Sequence, residues 1–369
     1  MRSRLKREDT PFYIALAIAG ICIIVIVGYV IALFSVYSSG HSIRDDRTAD
    51  INVMLTRPAD WKKIQTGKIS LAPEDFSLID GSTATIPITA ELARQFCGVS
   101  DEEIEDIVDH HTTHNAYINL ICTYSDPKKF ETKTYNEGTT RKYHTDHGSF
   151  YEKRLIFVTE PSEDELADAK KERVTFDITP VALDGFVFIT HKDNPVDSLT
   201  VEQVRQIYSG RIKNWKEVGG NDSEIIPYQR ARNSGSQTAM EQLVMKSMPL
   251  MDPSEGYSKT VGLMGELVER VAEYENRESS LGYTYYYYIN NLYRNEDIKV
   301  LKIDGVSPDN ENLISGEYPF STAYYMVMAE GEDDAQTAKM RELRDYLLTD
   351  EGQEIIKMAG YCPVGTMGE

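Results

Sequence analysis

Residues 229–241 read QRARNSGSQTAME, a run in which two arginines, three small hydroxyl residues and a glycine crowd together. The preceding EIIPYQR is patterned as a strand ending at Arg230, and the following SQTAMEQLVMK as a helix, with Asn233, Ser234 and Gly235 at the junction. A strand-to-helix turn aims backbone N–H groups at whatever sits above it. Gly235 lets a ligand approach the backbone closely, Ser234, Ser236 and Thr238 add hydroxyl donors, and Arg230 can offer a fork of N–H groups to a tetrahedral oxyanion. Two other readings compete. Ser234 or Ser236 could simply cap the helix, with Glu241 in its first turns. The turn could also present a nucleophile, but the chain contains no G-x-S-x-G elbow, no G-x-x-x-x-G-K-[ST] loop and no H-E-x-x-H.

Three further turns have the same character. SLIDGSTATIPITAELARQF reads as strand, small hydroxylated turn and helix, so Gly81, Ser82, Thr83 and the N–H of Ala84 would face a second helix N-terminus. DHHTTHNAYINLI places Thr113 as a helix cap, and LIFVTEPSEDEL places Glu160 just beyond a strand end. Open α/β sheets bind ligands at such carboxyl ends. Glu160 beside an anion has a physical use, because a carboxylate only accepts hydrogen bonds and so pairs with a proton on the ligand. Its competing role is to offset the dipole of the helix that follows.

Five histidines, His110, His111, His114, His144 and His147, fall in one part of the chain. His110 and His114 have the i, i+4 spacing of metal ligands on one helical face. A helix starting at Thr113 would leave His110 in the preceding loop, so solvated loop histidines are the preferred reading and no metal or cofactor is implied.

The elements that must position these residues alternate between short apolar runs and helical patterns, which predicts an α/β fold with largely parallel sheets. LGYTYYYYINNLY, with a tyrosine at every position from 285 to 288, reads as a buried strand packed between lobes in preference to a stacking platform. Residues 125–153 are polar and without periodicity, predicting a long surface loop or insertion. The chain is 369 residues long with net charge −20, which disfavours nucleic acid and anionic membrane surfaces as partners.

The N-terminus departs from this. Arg2, Arg4, Lys6 and Arg7 precede an uncharged apolar run over 11–37, longer than the roughly 20 residues that cross a bilayer. The positive-inside tendency puts residues 1–10 in the cytoplasm and everything after Ser38 outside the cell. An uncleaved anchor is preferred to a signal peptide on the length of the apolar run. Of the remaining cysteines, Cys97 and Cys122 could pair, although no disulfide framework is indicated.

From Leu78 to Val364 the sequence resembles the phosphate-binding proteins of ABC import systems, within the type II periplasmic-binding-protein fold. The resemblance is carried in order by DGSTATIP, THNAYINLI, LIFVTEPSEDEL, LTVEQVRQIYSGRIKNWKEVGG, RARNSGSQTAM, LGYTYYYY, IKVLKIDGV, YPFSTAYYMV and EGQEIIKMAGYCPV. It implies two lobes closing on inorganic phosphate, after a stalk at 38–77: a first lobe over 78–183 carrying the 125–153 insertion, a second over 184–284, and a return to the first over 285–369. It further implies Ser82, Thr83, Ala84 and Thr113 as first-lobe donors, and Arg230, Ser234, Gly235 and Ser236 as the second-lobe site. Glu160 stands where the family carries an acidic residue, usually Asp. Arg232 is expected in solvent. The expected molecule is a monomer, anchored in the cell membrane, that serves an ABC permease and its ATPase and catalyses nothing. Another oxyanion (sulfate, molybdate or tungstate), or a phosphate sensor without a transport role, is the alternative.

Overall fold

A computed structural model describes residues 60–364, apart from 65–66, 126–134, 138–139, 146–147, 254–258, 274–275 and 332–333. The apolar run at 11–37 lies outside the described residues. Among those described, no helix is long and apolar enough to cross a membrane.

Fourteen strands are described: β1 Ile79–Gly81, β2 Tyr135–Glu137, β3 Thr140–Thr145, β4 Gly148–Tyr151, β5 Leu155–Val158, β6 Phe176–His191, β7 Ser198–Leu199, β8 Ile226–Arg230, β9 Lys259–Val261, β10 Ser280–Tyr285, β11 Ile298–Val300, β12 Lys302–Ile303, β13 Ser321–Ala329 and β14 Cys362–Pro363. The main sheet runs β1-β5-β13-β6-β10-β8-β9, with β11 and β14 also on β6. β1 pairs parallel with β5, and β10 with β8 and β8 with β9. The middle of the sheet is antiparallel throughout, β13 pairing with β5 and β6, and β6 with β10. The expected largely parallel sheet is therefore a mixed one. Strand alternating with helix signals a parallel pair, but the crossing strands come from distant parts of the chain and carry no such signal.

β6 organises the two halves. Its first part, Phe176 to Gly185, pairs with β13 at every residue but Val181, and the stretch from Phe186 to Ile189 pairs with β10. The burial follows: alternating exposure at the start gives way to continuous burial from Val181 to His191, where both faces are covered. A register shift at Tyr324/Tyr325 sets Tyr325 opposite Pro180 and Tyr324 opposite Ala182, so Val181 is an extra residue on β6. The tyrosine-rich stretch continues this core. β10 is buried along its whole length, and the Tyr287 ring stacks on Tyr361 with centroids 3.6 Å apart.

The structure differs from expectation in three more places and resolves one that was left open. Tyr135–Glu137, Thr140–Thr145 and Gly148–Tyr151 form an antiparallel three-stranded sheet, β2-β3-β4, inside the segment read as a loop; its tyrosines and threonines favour strands although its charges hide the periodicity. The fold starts before Leu78, because Ile69, Leu71 and Phe76 are core residues and the Trp61 indole donates to Glu91 Oε1 at 2.8 Å. β11 still pairs with the second-half end of β6, which places Ile298–Val300 beyond the expected return at 285. Cys97, Cys122 and Cys362 are all free thiols.

Candidate functional site

The arginine turn is held from below. The Arg230 N–H, at the end of β8, donates to the Tyr283 hydroxyl at 2.8 Å and to Gln237 Oε1 at 3.1 Å, and the Tyr283 hydroxyl in turn donates to Gln237 Oε1. The buried guanidinium is aimed by three acceptors: Ser236 Oγ at 3.3 Å from Nη1, Val261 O at 3.3 Å from Nε and Gly262 O at 2.9 Å from Nη2. Asn233 turns the chain with φ 63°, a left-handed conformation that Asn tolerates. Ser234 then caps the helix Gly235–Ala239, its Oγ accepting from Gln237 N at 3.3 Å. The capping reading and the anion reading thus share one serine without conflict, because Ser236, Gly235 and Arg230 remain to meet a ligand.

In the first half, Ser82, Thr83 and Ala84 form the turn after β1. Ser82 N donates to Phe157 O at 3.0 Å, and the Ala84 carbonyl accepts from the Tyr361 hydroxyl. Beneath them lies a buried polar cluster. Asp80 Oδ1 accepts from Gly81 N and His111 N, and its Oδ2 meets His111 Nδ1 at 2.9 Å and Asn119 Nδ2 at 3.0 Å. Burial pushes the Asp80 carboxyl up, but His111, Lys153 and His110 together outweigh it and hold the group well below the usual carboxylate range. His110 spans Ser82 O at 3.0 Å and Thr89 Oγ1 at 2.9 Å, and burial pushes its pKa down to about 4. Thr89 and His110 form a hydroxyl–imidazole pair, but both are buried in this cluster, which gives the pair a structural role.

His110 precedes the helix Thr113–Tyr124, as expected, but it and His111 are buried by the polar cluster around Asp80 and are not the solvated loop histidines the sequence suggested. The cap of that helix is Thr112, whose Oγ1 accepts from Asn115 N at 3.4 Å, and not Thr113. This one-residue shift matters, because it releases the Thr113 hydroxyl from capping and turns it toward the other half. A Cβ built on Gly235 would stand 2.9 Å from Thr113 Oγ1 and 2.4 Å from Thr159 Oγ1. Glycine is therefore required here by close approach, not by its φ angle. Thr159 is buried, its hydroxyl has no well-formed hydrogen bond, and its carbonyl accepts from Tyr117 Oη at 2.8 Å. Thr159 is absent from the residues singled out in the sequence, where it is only one more threonine after an apolar strand. Glu160, the next residue, is exposed, and its Oε1 accepts from the Tyr325 hydroxyl at 3.0 Å.

The geometry thus brings Thr113, Thr159 and Gly235 together, with Arg230, Ser234 and Ser236 on the same turn as Gly235. Ser82, Thr83 and Ala84 lie at the end of the neighbouring strand β1, tied to the Thr113 loop through His110. Arg232 is exposed but not isolated, since it makes two hydrogen bonds to Asp164 across the cleft. Neutral hydroxyls, N–H groups from a helix N-terminus and one buried guanidinium make a site suited to an anion.

A family model for the PBP superfamily domain matches residues 154–351. The chain belongs to this superfamily. Curated proteins similar to it include the phosphate-binding protein PstS of Bacillus subtilis, 29% identical over 188 residues that span 51% of this chain and 57% of the relative. The PstS of Borreliella burgdorferi is 24% identical over 209 residues, 56% of this chain and 70% of its own. The chain thus spans little more than half the length of the Bacillus relative. Among solved structures, a Clostridium perfringens protein with bound phosphate aligns with TM-score 0.55 and 23% identity, covering 78% of this chain and 98% of that one. An ABC-type phosphate transport receptor from Vibrio cholerae gives TM-score 0.52 and 20% identity over 77% and 98%. These likenesses show the two-lobed α/β fold of the PBP superfamily.

Proposed function

We propose that this chain is an extracytoplasmic substrate-binding protein that captures inorganic phosphate between its two lobes and delivers it to an ABC permease and its ATPase. The observation that carries the reading is the approach of Gly235, on the arginine turn, to Thr113 and Thr159 of the opposite half. The names of the PstS relatives add support for phosphate as the anion. Donors would come from both halves: Ser82, Thr83, the Ala84 N–H and Thr113 from one, and Arg230, Ser234, Gly235 and Ser236 from the other. Preorganised neutral donors and one arginine let a chain of net charge −20 hold an anion without a broad positive field.

Glu160 supplies the selectivity. Tyr325 takes one lone pair of its Oε1, leaving acceptor capacity for the proton of hydrogen phosphate. A fully ionised anion would bring acceptor against acceptor. The chain acts as a monomeric binding module, held at the outer face of the cell membrane by residues 11–37, and catalyses no reaction.

Calorimetric titration with phosphate, sulfate, molybdate and tungstate, at two pH values spanning the second ionisation of phosphate, tests the reading. Phosphate should bind far more tightly than the other three. Sulfate or molybdate binding as tightly as phosphate would overturn it.

A further inference from the structure

Among the described residues, Arg232 and Gln242 reach from beside the arginine turn to the opposite half, and Asn233 also donates a side-chain hydrogen bond to Asp164. Arg232 donates from Nε to Asp164 Oδ2 and from Nη2 to Asp164 Oδ1, both at 2.7 Å. Gln242 Nε2 donates to Pro161 O at 3.1 Å. Arg232 and Gln242 follow β8 in the second half of the sheet, whereas Pro161 and Asp164 follow β5 in the first. Thr159 and Gly235, which pack closely beside these contacts, are buried, while the Arg232 and Asp164 side chains are 78% and 38% exposed. The ion pair therefore lies on the solvent rim of the cleft.

We infer that Arg232 and Asp164 form a strap across the rim, a positioning pair that holds the two lobes closed over the anion turn. The inference takes its ligand from the function proposed above, but its geometry is independent of that reading.

The local chain is arranged for this contact. Asn233 at φ 63° reverses the backbone between Arg232 and Ser234, so Ser234 caps its own helix while Arg232 reaches the other lobe. Asp164 sits in the first turn of the helix Glu163–Glu172, where the helix dipole favours a carboxylate and a capping box of Ser162 and Glu165 fixes the turn. The planar guanidinium matches both carboxylate oxygens, which makes the contact directional. At such exposure the pair is individually weak and screened by salt. A weak closure suits a protein that must also release its cargo. Because the contact exists only with the lobes together, it should slow release and leave capture unchanged.

The test uses the full-length chain, inorganic phosphate titrations at low and high salt, and hydrogen exchange of residues 112–116 and 234–239. Arg232→Ala and Asp164→Ala should each weaken phosphate binding about two- to five-fold through faster release, with raised exchange in both segments. The double variant should be no weaker than the worse single one, and Arg232→Lys, which keeps the charge but loses the fork, should fall between. High salt should shrink these differences. Additive losses, or affinity and exchange both unchanged, would overturn the strap. A wild-type chain that takes up no phosphate sinks the phosphate reading instead. The strap then stands or falls on whether the two alanine variants lose protection in these segments.

Discussion

Gly235 and Thr159 face one another across the cleft so closely that a single added methyl on the glycine would lie 2.4 Å from the threonine hydroxyl. The gap is filled by two elements far apart in the chain, and Thr113 Oγ1, at 2.9 Å, blocks the other way out. Gly235→Ala should therefore prop the lobes apart without harming either one. Phosphate affinity should drop by about tenfold or more while the melting temperature stays within a few degrees. Calorimetry and thermal melting on the same preparation would show it, and unimpaired binding would mean the lobes need not meet here.

Arg230 is committed to its position by its own neighbours. Its guanidinium is aimed by Ser236, Val261 and Gly262, and its N–H is held by Tyr283 and Gln237. Arg230→Ala should weaken phosphate binding on the order of a hundredfold or more. Arg230→Lys should recover only part of that, because a point charge replaces a fork. Equal affinity in wild type and Arg230→Ala would remove the arginine from the site.

Glu160→Gln should change selectivity before affinity. The amide can donate as well as accept, so the variant should lose most of its preference for phosphate over sulfate. Competition binding with labelled phosphate measures this directly. A preference unchanged by the substitution would assign Glu160 to the helix dipole alone.

The buried cluster under the first-lobe turn predicts how the protein responds to acid. The His110 pKa is depressed to about 4 by burial, against 6.5 for a free histidine. Folding therefore favours the neutral ring. Its contribution is complete above pH 6.5 and is lost as the pH falls toward 4, by about 3 kcal/mol in all. Asp80, held below its normal range, loses its contribution at still lower pH, below the ordinary carboxylate pKa. Denaturant melts of wild type and His110→Gln at pH 7 and pH 4.5 should converge as the pH falls. A constant difference between them would show that the ring is not neutral in the fold.

Much of this was legible in the sequence, for a physical reason. Turn chemistry is local, so RARNSGSQTAM and DGSTATIP announce the capping Ser234, their small hydroxyl turn residues, Gly235 and Arg230 within a dozen residues. Contacts between lobes are not local. Thr159 carries no signal, because its only distinction is the glycine that meets it from 76 positions along the chain. Arg232 read as a solvent residue for the same reason, its carboxylate partner lying in another element. The shift of the cap from Thr113 to Thr112 shows the limit at the finest grain: two adjacent threonines are equivalent as sequence, and only the chain entering the helix decides which is free.

The extra residue at Val181 and the sixteen-residue strand that contains it carry a further consequence. Because β6 gives its first half to one lobe and its second half to the other, neither lobe owns a complete sheet. A gene cut at the expected boundary of 184 would divide β6, leaving one fragment without β13, the strand between β5 and β6, and the other without most of the β6 stretch on which β13 pairs.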